Sequence, residues 1–388
     1  MKISLSDVHK YEVISLIDLS WYSHQAKRVF YSQKSAFEHF RKHGNELNAC
    51  PNKMFDTFWY KWQNPDHIQY STILDHFAIC SLERTIDPGP FIDLVQFKRK
   101  SGIVDPIKAV LATFDPTWGA MEGVYRAYSD LTKRQAEFHG SVAADVIRGP
   151  SDVGARKRRK FLLWVQIGPN SEFAKWFKPG APREWDLLAN WYTPDEVDPN
   201  LGEYSFVQTG TKFTSVFNVW RKYQNTFAGY DGVLLLDDDI VFEHKDIDDI
   251  FHQSQEYNLD IFQPALTVNS HSTWEIFKKQ KNSKFRRLNG VEIMMPGFSK
   301  RTINNVFPLF AYSISGFGLD FLISKASKKR GYTVGILDEV PGFHSKEIDQ
   351  EAGNYYNFLR RYGINAKTEL WYLKEAFSLE TEFYQIGS

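Results

Sequence analysis

Three consecutive aspartates, Asp237, Asp238 and Asp239, are the residues of this chain whose types and spacing best suit chemistry. They follow residues 233–236, four apolar residues of the kind that form a strand buried on both faces of a parallel sheet. Ligands of open α/β sheets bind at the carboxyl ends of such strands. Because side chains alternate along an extended chain, Asp237 and Asp239 leave one face together while Asp238 points away. We therefore expect Asp237 and Asp239 to hold Mg²⁺ or Mn²⁺ together with a substrate phosphate.

Two simpler interpretations of the triplet remain open, namely a solvated acidic turn and an N-cap for a helix that begins near Lys245. A carboxylate cluster at a strand end is costly unless a cation neutralises it. Three acids after a buried strand are also less common than one, and this favours the metal site.

The composition limits the classes of protein to consider. With 388 residues, of which 43% are hydrophobic, the chain is long enough for two domains with real cores. Its 47 basic and 47 acidic residues balance, which argues against a nucleic-acid-binding surface. Cys50 and Cys80 are the only cysteines, so no disulfide framework and no multi-cysteine zinc cluster is encoded, and a reducing compartment fits.

The sequence also gives an expectation for the location of the protein. Residues 1–7 lack the apolar run of a signal peptide, and no window approaches 18 uninterrupted apolar residues. We expect a cytoplasmic protein with possible peripheral contact at the inner face of the cytoplasmic membrane. The basic run at residues 156–160 fits either a solvated strand entrance or contact with acidic headgroups.

The first hundred residues contain an internal repeat with a period of about 37 or 38 residues, the length of small helical repeat units. Residues 18–22 (DLSWY) are repeated at 56–60 (DTFWY), and more weakly at 93–97. His39 and His76 occupy equivalent positions in this repeat, so we interpret them as packing or hydrogen-bonding residues rather than catalytic ones. The predicted organisation is a helical repeat module at 1–105, a helical linker at 106–158, and a third region at 159–388.

In the third region strands alternate with helices, which predicts an α/β fold with a mostly parallel sheet flanked by helices. The predicted strands, in chain order, are 161–167, 185–192, 204–208, 233–236, 260–265 and 333–337. Helices are predicted to follow Gly210 and to span residues 246–256.

This region resembles the GT-A fold of nucleotide-sugar-dependent glycosyltransferases, and more narrowly a glycosyltransferase-like domain family of unknown function in plants and bacteria. The resemblance is carried by the segments LWVQIG (163–168), GTKF (210–213), LDDD (236–239), QPAL (263–266), GFGLD (316–320) and the late Asp338 and His344. The N-terminal repeat resembles W-Y…N-P-D…H-Y units that accompany such domains in bacterial surface-polysaccharide proteins. Trp59, Tyr60 and residues 64–66 match that pattern, whereas Phe77 replaces its last tyrosine and the first unit lacks the N-P-D element.

The resemblance implies a role for each candidate residue. It assigns the nucleotide-sugar donor to Gly168, Pro169, Asn170, Lys212, Asp237 and Asp238, and the metal ion to Asp237, Asp239 and His344. Lys212 follows a glycine at a predicted helix N-terminus, which favours an anion.

Sugar transfer also needs a carboxylate base near the acceptor hydroxyl if the enzyme inverts. Asp320 is the first candidate and Glu292 the second, with Asp338 and Glu339 as further options. An N-cap role for Asp320 is equally compatible with its position. Trp274 fits either stacking on a sugar ring or packing.

The sequence therefore predicts a metal-dependent glycosyltransferase that moves a sugar from a nucleotide-sugar donor to a glycan or lipid-linked glycan acceptor, in bacterial surface polysaccharide biosynthesis. The N-terminal repeats are a candidate binding region for a protein partner. Two alternatives remain open. One is a nucleotidyl or phosphoryl transferase with the same acidic metal site. The other is a non-catalytic scaffold, whose repeat half binds glycan or a partner and whose second half is degenerate.

Overall fold

The computed structural model describes residues 3, 12–113, 131, 133–134, 137–139, 141–142, 144–150, 158–168, 171–194, 197–346 and 353–387. The chain divides into two compact units, one of residues 1–130 with 375–377 and the other of residues 131–374 with 378–388. Much of the helical linker predicted at 106–158, including residues 114–130, lies outside the described residues.

The described elements of the first unit are helical. They are α1 (Leu19–Ala26), α2 (Gln33–Leu47), α3 (Thr57–Gln63), the 3₁₀ helix Pro65–Gln69, α4 (Ile73–Glu83), α5 (Leu94–Ser101) and α6 (Pro106–Ala112). Asp18, Asp56 and Asp93, which recur in the sequence repeat, each cap one of these helices by accepting the backbone N–H three residues later, at 2.8–2.9 Å.

The two repeated histidines of this unit each bond to a repeated tyrosine. The Tyr22 hydroxyl lies 2.9 Å from Nδ1 of His39, and the Tyr60 hydroxyl lies 2.6 Å from Nδ1 of His76. The repeated residues therefore form equivalent contacts inside successive helical units.

The second unit contains a mixed α/β fold with a large sheet flanked by helices, so the predicted α/β class is confirmed. The strands of the described residues are β1 (Asp145–Arg148), β2 (Phe161–Ile167), β3 (Trp185–Trp191), β4 (Tyr204–Val207), β5 (Gly232–Asp237), β6 (Ile240–Val241), β7 (Ile261–Leu266), β8 (Phe285–Arg287), β9 (Gly297–Ser299) and β10 (Val334–His344). Their order in the sheet is β1-β4-β3-β2-β5-β9-β7-β10-β6, with β8 paired to β10.

The long central strands of this sheet run parallel. Strands β4, β3, β2 and β5 pair in parallel, as do β7 and β10, whereas the short strands β1, β6, β8 and β9 pair antiparallel. Every residue of β2, β3 and β7 is buried, as expected for strands covered on both faces.

Helices connect and cover the strands. They are α7 (Phe173–Trp176), α8 (Lys212–Lys222), α9 (Gln224–Phe227), α10 (Asp246–Glu256), α11 (Lys300–Val306), α12 (Leu319–Arg330), α13 (Asn354–Arg361), α14 (Ala366–Phe377) and the 3₁₀ helices Glu275–Phe277 and Phe307–Tyr312. Helix α8 begins with a capping box between Thr211 and Thr214, which fixes the position of Lys212 in its first turn. Among the described residues, no helix is both long enough and apolar enough to cross a membrane.

Candidate functional site

The aspartate triplet lies at the carboxyl edge of the parallel sheet. Asp237 is the last residue of β5, where it pairs in register with Gln166 near the end of β2. Asp238 and Asp239 form the turn into β6, and β6 pairs with the end of β10. This is the edge at which open α/β sheets bind ligands, as the sequence predicted.

His344 lies 105 residues after Asp239 in the sequence and contacts its side chain. It is the last residue of β10, and its Nε2 atom lies 3.3 Å from Oδ2 of Asp239. Its Nδ1 atom lies 2.7 Å from the carbonyl oxygen of His271, so Nδ1 must carry a proton to donate to that oxygen. In a neutral ring Nε2 then presents a lone pair to the Asp239 carboxylate. That contact is favourable only if a second proton or a cation lies between the two atoms.

The contact between Asp239 and His344 shifts the pKa values of both groups. Burial acts to raise the pKa of Asp239, but the hydrogen bond and charge of His344 outweigh it, so the pKa is lowered. Burial acts to lower the pKa of His344, but the hydrogen bond and charge of Asp239, with the His271 carbonyl and the charge of Asp237, together outweigh it, so that pKa is raised. Each of the two groups therefore favours the charged form of the other.

These two residues fit a divalent metal site. Two ligand atoms bound at right angles to a cation at about 2.1 Å lie about 3 Å apart, close to the separation seen between Asp239 and His344. The carbonyl of His271 holds the second ring nitrogen, as outer-shell partners of metal-bound histidines do. Carboxylate oxygens bind both Mg²⁺ and Mn²⁺, whereas an imidazole nitrogen binds Mn²⁺ better than Mg²⁺.

Asp237 is held by a different partner. Its Oδ1 atom lies 2.7 Å from Nζ of Lys212, and the same ammonium donates to the carbonyl oxygens of Ile293 and Met294 at 2.6 Å. Burial lowers the pKa of Lys212, and the charge of Asp237 offsets part of that effect. Burial raises the pKa of Asp237, with Lys212 acting in the opposite direction. Lys212 therefore serves as the counter-ion of Asp237 and as a tie to the segment that carries Glu292.

The three predicted metal ligands do not form one compact cluster. Ligand atoms of Asp237, Asp239 and His344 do not all lie within 4.8 Å of one another. Asp239 and His344 are the pair in direct contact, whereas Lys212 holds Asp237 separately. The three N–H donors of the Lys212 ammonium already have protein partners in Asp237, Ile293 and Met294. A contact between Lys212 and the nucleotide stays a prediction.

Asp238 binds the loop after β2. Its Oδ2 atom accepts the backbone N–H of Gly168 at 3.1 Å and the hydroxyl of Tyr192 at 3.3 Å. Tyr192 covers Gly168 so closely that a Cβ there would lie 1.8 Å from the ring Cζ atom. Burial, with the charge of Asp239, raises the pKa of Asp238 to about 7. Asp238, Gly168 and Tyr192 are therefore closely packed together at the strand ends.

The predicted nucleotide contacts of Asp238 and Gly168 stay a prediction. Pro169 and Asn170, which were predicted to contact the nucleotide beside Gly168, lie outside the described residues.

The two predicted base candidates are both buried near this edge. Burial raises the pKa of Glu292 to about 8, helped by the nearby charge of Asp320, while His344 and Lys212 act to lower it. Burial raises the pKa of Asp320 to about 7. The four charged groups that act on Glu292 include Asp237, so Glu292 lies among the members of the site.

Their hydrogen bonds distinguish the two carboxyl groups. Oδ1 of Asp320 accepts the N–H of Phe321 in the first turn of α12, whose N-cap is Gly318 rather than Asp320. Oε2 of Glu292 is buried without a hydrogen-bond partner, and the backbone N–H of Glu292 donates to Oε1 of Gln263 at 2.7 Å. An unpaired buried carboxyl oxygen is costly and is typical of functional sites.

The loop that precedes Asp320 is fixed by Glu369 on α14. Its carboxylate accepts the N–H groups of Ile314 and Ser315 at 2.8 and 2.7 Å, and the hydroxyl of Ser313 at 3.2 Å. Gly316 and Gly318 follow with φ of 83° and 84°, a conformation that L side chains rarely adopt. The sequence showed the two glycines but gave no signal for Glu369, whose role depends on a contact across more than 50 residues.

The remaining candidates have other contacts. Asp338 is fully buried in a two-bond ion pair with Arg286, at 2.9 and 3.1 Å. Glu339 accepts the hydroxyl of Tyr257 at 3.2 Å. Trp274 is half-buried and packs nearly perpendicular to Phe321 and Phe383.

Sequence reasoning missed several polar residues at this edge. A chain of buried amides crosses the strand ends, with Asn190 donating to Gln166 and Gln208 donating to Asn190. Gln166 and Asn190 are the next-to-last residues of apolar strands and Gln208 directly follows one, and this position is the sequence signal that could have identified them.

Comparisons with known proteins add little to this geometry. No family model matches the chain. No curated protein matches it either. Among solved structures, residues 1–349 of S. aureus TarS in complex with UDP-GlcNAc match at 13% identity, over 56% of this chain and 73% of that chain, with a TM-score of 0.29. A second structure of residues 1–349 of S. aureus TarS matches at 12% identity, over 56% of this chain and 70% of that chain, with a TM-score of 0.28.

Proposed function

We propose that this chain is a metal-dependent glycosyltransferase that moves a sugar from a nucleotide-sugar donor to a glycan acceptor. A role in bacterial surface polysaccharide synthesis is part of the proposal and comes from the sequence resemblance. The observation that carries it is the contact of Asp239 with His344, made across 105 residues at the carboxyl edge of the sheet. An imidazole fixed by His271 and facing a carboxylate, beside two further acids, is a fitting place for a cation and a diphosphate.

Asp239 and His344 would hold the cation, and Asp237 would face the same diphosphate from its position beside Lys212. A divalent cation bound there would supply positive charge to the departing nucleoside diphosphate. Lys212 adds a fixed positive charge 2.7 Å from Asp237, in a buried setting where electrostatic effects are stronger than in water.

The acceptor hydroxyl must lose its proton as the new glycosidic bond forms. Glu292 and Asp320 are the groups for this step, because their raised pKa values of about 8 and about 7 lie near neutral pH. A base with such a pKa balances availability of the carboxylate against its proton affinity. Because Glu292 Oε2 lacks a hydrogen-bond partner and Asp320 Oδ1 is bonded to its own helix, Glu292 is the less constrained of the two.

The test is release of UDP or GDP from a panel of nucleotide sugars, including UDP-GlcNAc, with Mn²⁺ and with EDTA. We expect metal-dependent release by the wild type and a loss of at least about 100-fold in Asp239→Asn. Asp249→Asn, an exposed acid on α10, is the matched control and should retain full activity. A folded Asp239→Asn variant with an unaltered rate would refute the proposed site.

The same assay separates the alternatives. Release of pyrophosphate from an added nucleoside triphosphate, or of a nucleoside monophosphate from a nucleotide sugar, would instead indicate a nucleotidyl or phosphoryl transferase. Glycan binding that survives Asp239→Asn, with no turnover of any donor, would indicate the scaffold.

A further inference from the structure

A second cluster of potential metal ligands lies in the first unit. Oxygen, nitrogen and sulfur atoms of Asp66, His76 and Cys80 all lie within 4.8 Å of one another. Oδ1 of Asp66 is 3.3 Å from Nε2 of His76. The side chain of His76 is fully buried, Cys80 is buried, and Asp66 is 41% exposed, so the cluster has a buried floor and an open side.

Local structure brings these residues together. His76 and Cys80 are four residues apart on α4, so they share one face of that helix. Asp66 is the second residue of the 3₁₀ helix Pro65–Gln69, which follows α3 directly. The Asn-Pro-Asp element singled out in the sequence is therefore the feature that delivers Asp66 to His76.

The donor set and its spacing fit a zinc-class cation. In a tetrahedral site with metal–nitrogen and metal–oxygen bonds of about 2.0–2.2 Å and a metal–sulfur bond of about 2.3 Å, ligand atoms lie about 3.3–3.7 Å apart. The separation of Asp66 and His76 falls in that range. The Tyr60 hydroxyl, 2.6 Å from Nδ1 of His76, can accept the proton of that nitrogen and leave Nε2 for a metal. Near Cys80 the Tyr70 hydroxyl lies 3.2 Å from Sγ.

A positive side chain lies beside this cluster. Arg84 donates to Oδ2 of Asp66 at 2.7 Å and lies 3.5 Å from Nε2 of His76. Its side chain is 54% exposed and so can leave without disturbing the core. Arg84 therefore competes with a cation for the same carboxylate.

The first repeat unit provides an internal comparison. Its tyrosine–histidine pair, Tyr22 with His39, is retained, but His43 stands four residues after the histidine where the second unit has Cys80. That unit also lacks the Asn-Pro-Asp element. Burial, then the charges of His43 and Arg28, lower the pKa of His39, so positive groups surround it. The shared scaffold thus carries a ligand set only in the second unit.

We propose that Asp66, His76 and Cys80 form a binding site for a zinc-class divalent cation, separate from the aspartate site of the second unit, with Tyr60 orienting His76 and Arg84 competing with the metal. Binding displaces the Arg84 guanidinium and releases the thiol proton of Cys80 to solvent. The cysteine count excludes a multi-cysteine cluster, but it allows this mixed site.

The test uses the reduced, metal-stripped full-length chain titrated with Co²⁺ and followed by absorption. We expect a thiolate-to-cobalt charge-transfer band that saturates as Co²⁺ is added and disappears when Zn²⁺ is added. Because the chain has two cysteines, the band can arise only from Cys50 or Cys80. It should vanish in Cys80→Ser and persist in the control Cys50→Ser. The aspartate site has no thiol and cannot contribute to it.

Two further variants test the mechanism even if Cys80→Ser fails to fold. Tyr60→Phe should weaken Co²⁺ binding by about 10- to 100-fold, the usual effect of removing an outer-shell partner. Arg84→Gln should tighten it by about tenfold, because one nearby positive charge is lost. Absence of the band from the wild type would overturn the proposal. So would a band that depends on Cys50, or a Co²⁺ affinity left unchanged by both Tyr60→Phe and Arg84→Gln.

Discussion

Replacing Lys212 with Met tests whether this residue anchors the aspartate edge. The ammonium makes a 2.7 Å ion pair with Asp237 and 2.6 Å hydrogen bonds to the carbonyls of Ile293 and Met294. Only 7% of the Lys212 side chain is exposed, against 35% for Asp237. Removing one partner of a buried pair costs about 3–5 kcal/mol, and the partial exposure of Asp237 favours the lower end, about 3 kcal/mol.

This cost converts to a shift in melting temperature. At about 2–4 °C per kcal/mol for a domain of this size, Lys212→Met should lower the Tm of the second unit by about 6–12 °C. Differential scanning calorimetry in the absence of metal measures it. Lys222→Met, at the exposed far end of α8, is the matched control and should change stability by less than about 0.5 kcal/mol.

The double variant Lys212→Met/Asp237→Leu should be less destabilised than the sum of the single variants, because no isolated charge remains. The reasoning would be refuted if Lys212→Met had the same Tm as the Lys222→Met control.

Two other predictions concern the same edge. Gly168→Ala should lower the free energy of unfolding by about 1–3 kcal/mol, because the new Cβ would lie 1.8 Å from the Tyr192 ring and would force that ring away from Asp238. Urea unfolding measures this loss, and adding Tyr192→Ala should recover part of it. A double variant whose loss equals the sum of the two single losses would contradict the clash. Glu292→Gln tests the raised pKa of Glu292, which goes from 4.5 to about 8 on folding. A raised pKa stabilises the fold fully below about 4.5, and that contribution is lost as pH rises towards about 8. The stability of Glu292→Gln relative to wild type should therefore increase between pH 5 and pH 8, whereas a constant difference in urea midpoints would show that Glu292 titrates normally.

Much of the sheet could be predicted because its strands are buried on both faces. The predicted strand at 161–167 and helix at 246–256 coincide with β2 and α10, whose apolar patterns are clear in the sequence. The strand predicted at 333–337 continues in the structure to His344, beyond Pro341, because its end pairs antiparallel with β6 at the edge of the sheet. Short strands such as β6 and β9, with two and three residues, depend on their partners and carry no periodic signal.

The sequence predicted where the aspartates lie, but not which residues contact each of them. Position follows from the sheet rule, and this rule placed the aspartates at the carboxyl edge. The structure gives each aspartate a different partner: Lys212 holds Asp237, Tyr192 and Gly168 hold Asp238, and His344 meets Asp239. These partners lie 25 to 105 residues away, so no local pattern could assign them.

The most direct test of the metal site is a crystal of the protein soaked with Mn²⁺ and UDP or GDP, with anomalous diffraction recorded for manganese. We expect one anomalous peak about 2.0–2.4 Å from both a carboxylate oxygen of Asp239 and Nε2 of His344, in contact with the diphosphate. Absence of this peak, while the 3.3 Å contact of Asp239 and His344 persists with nucleotide bound, would contradict the account.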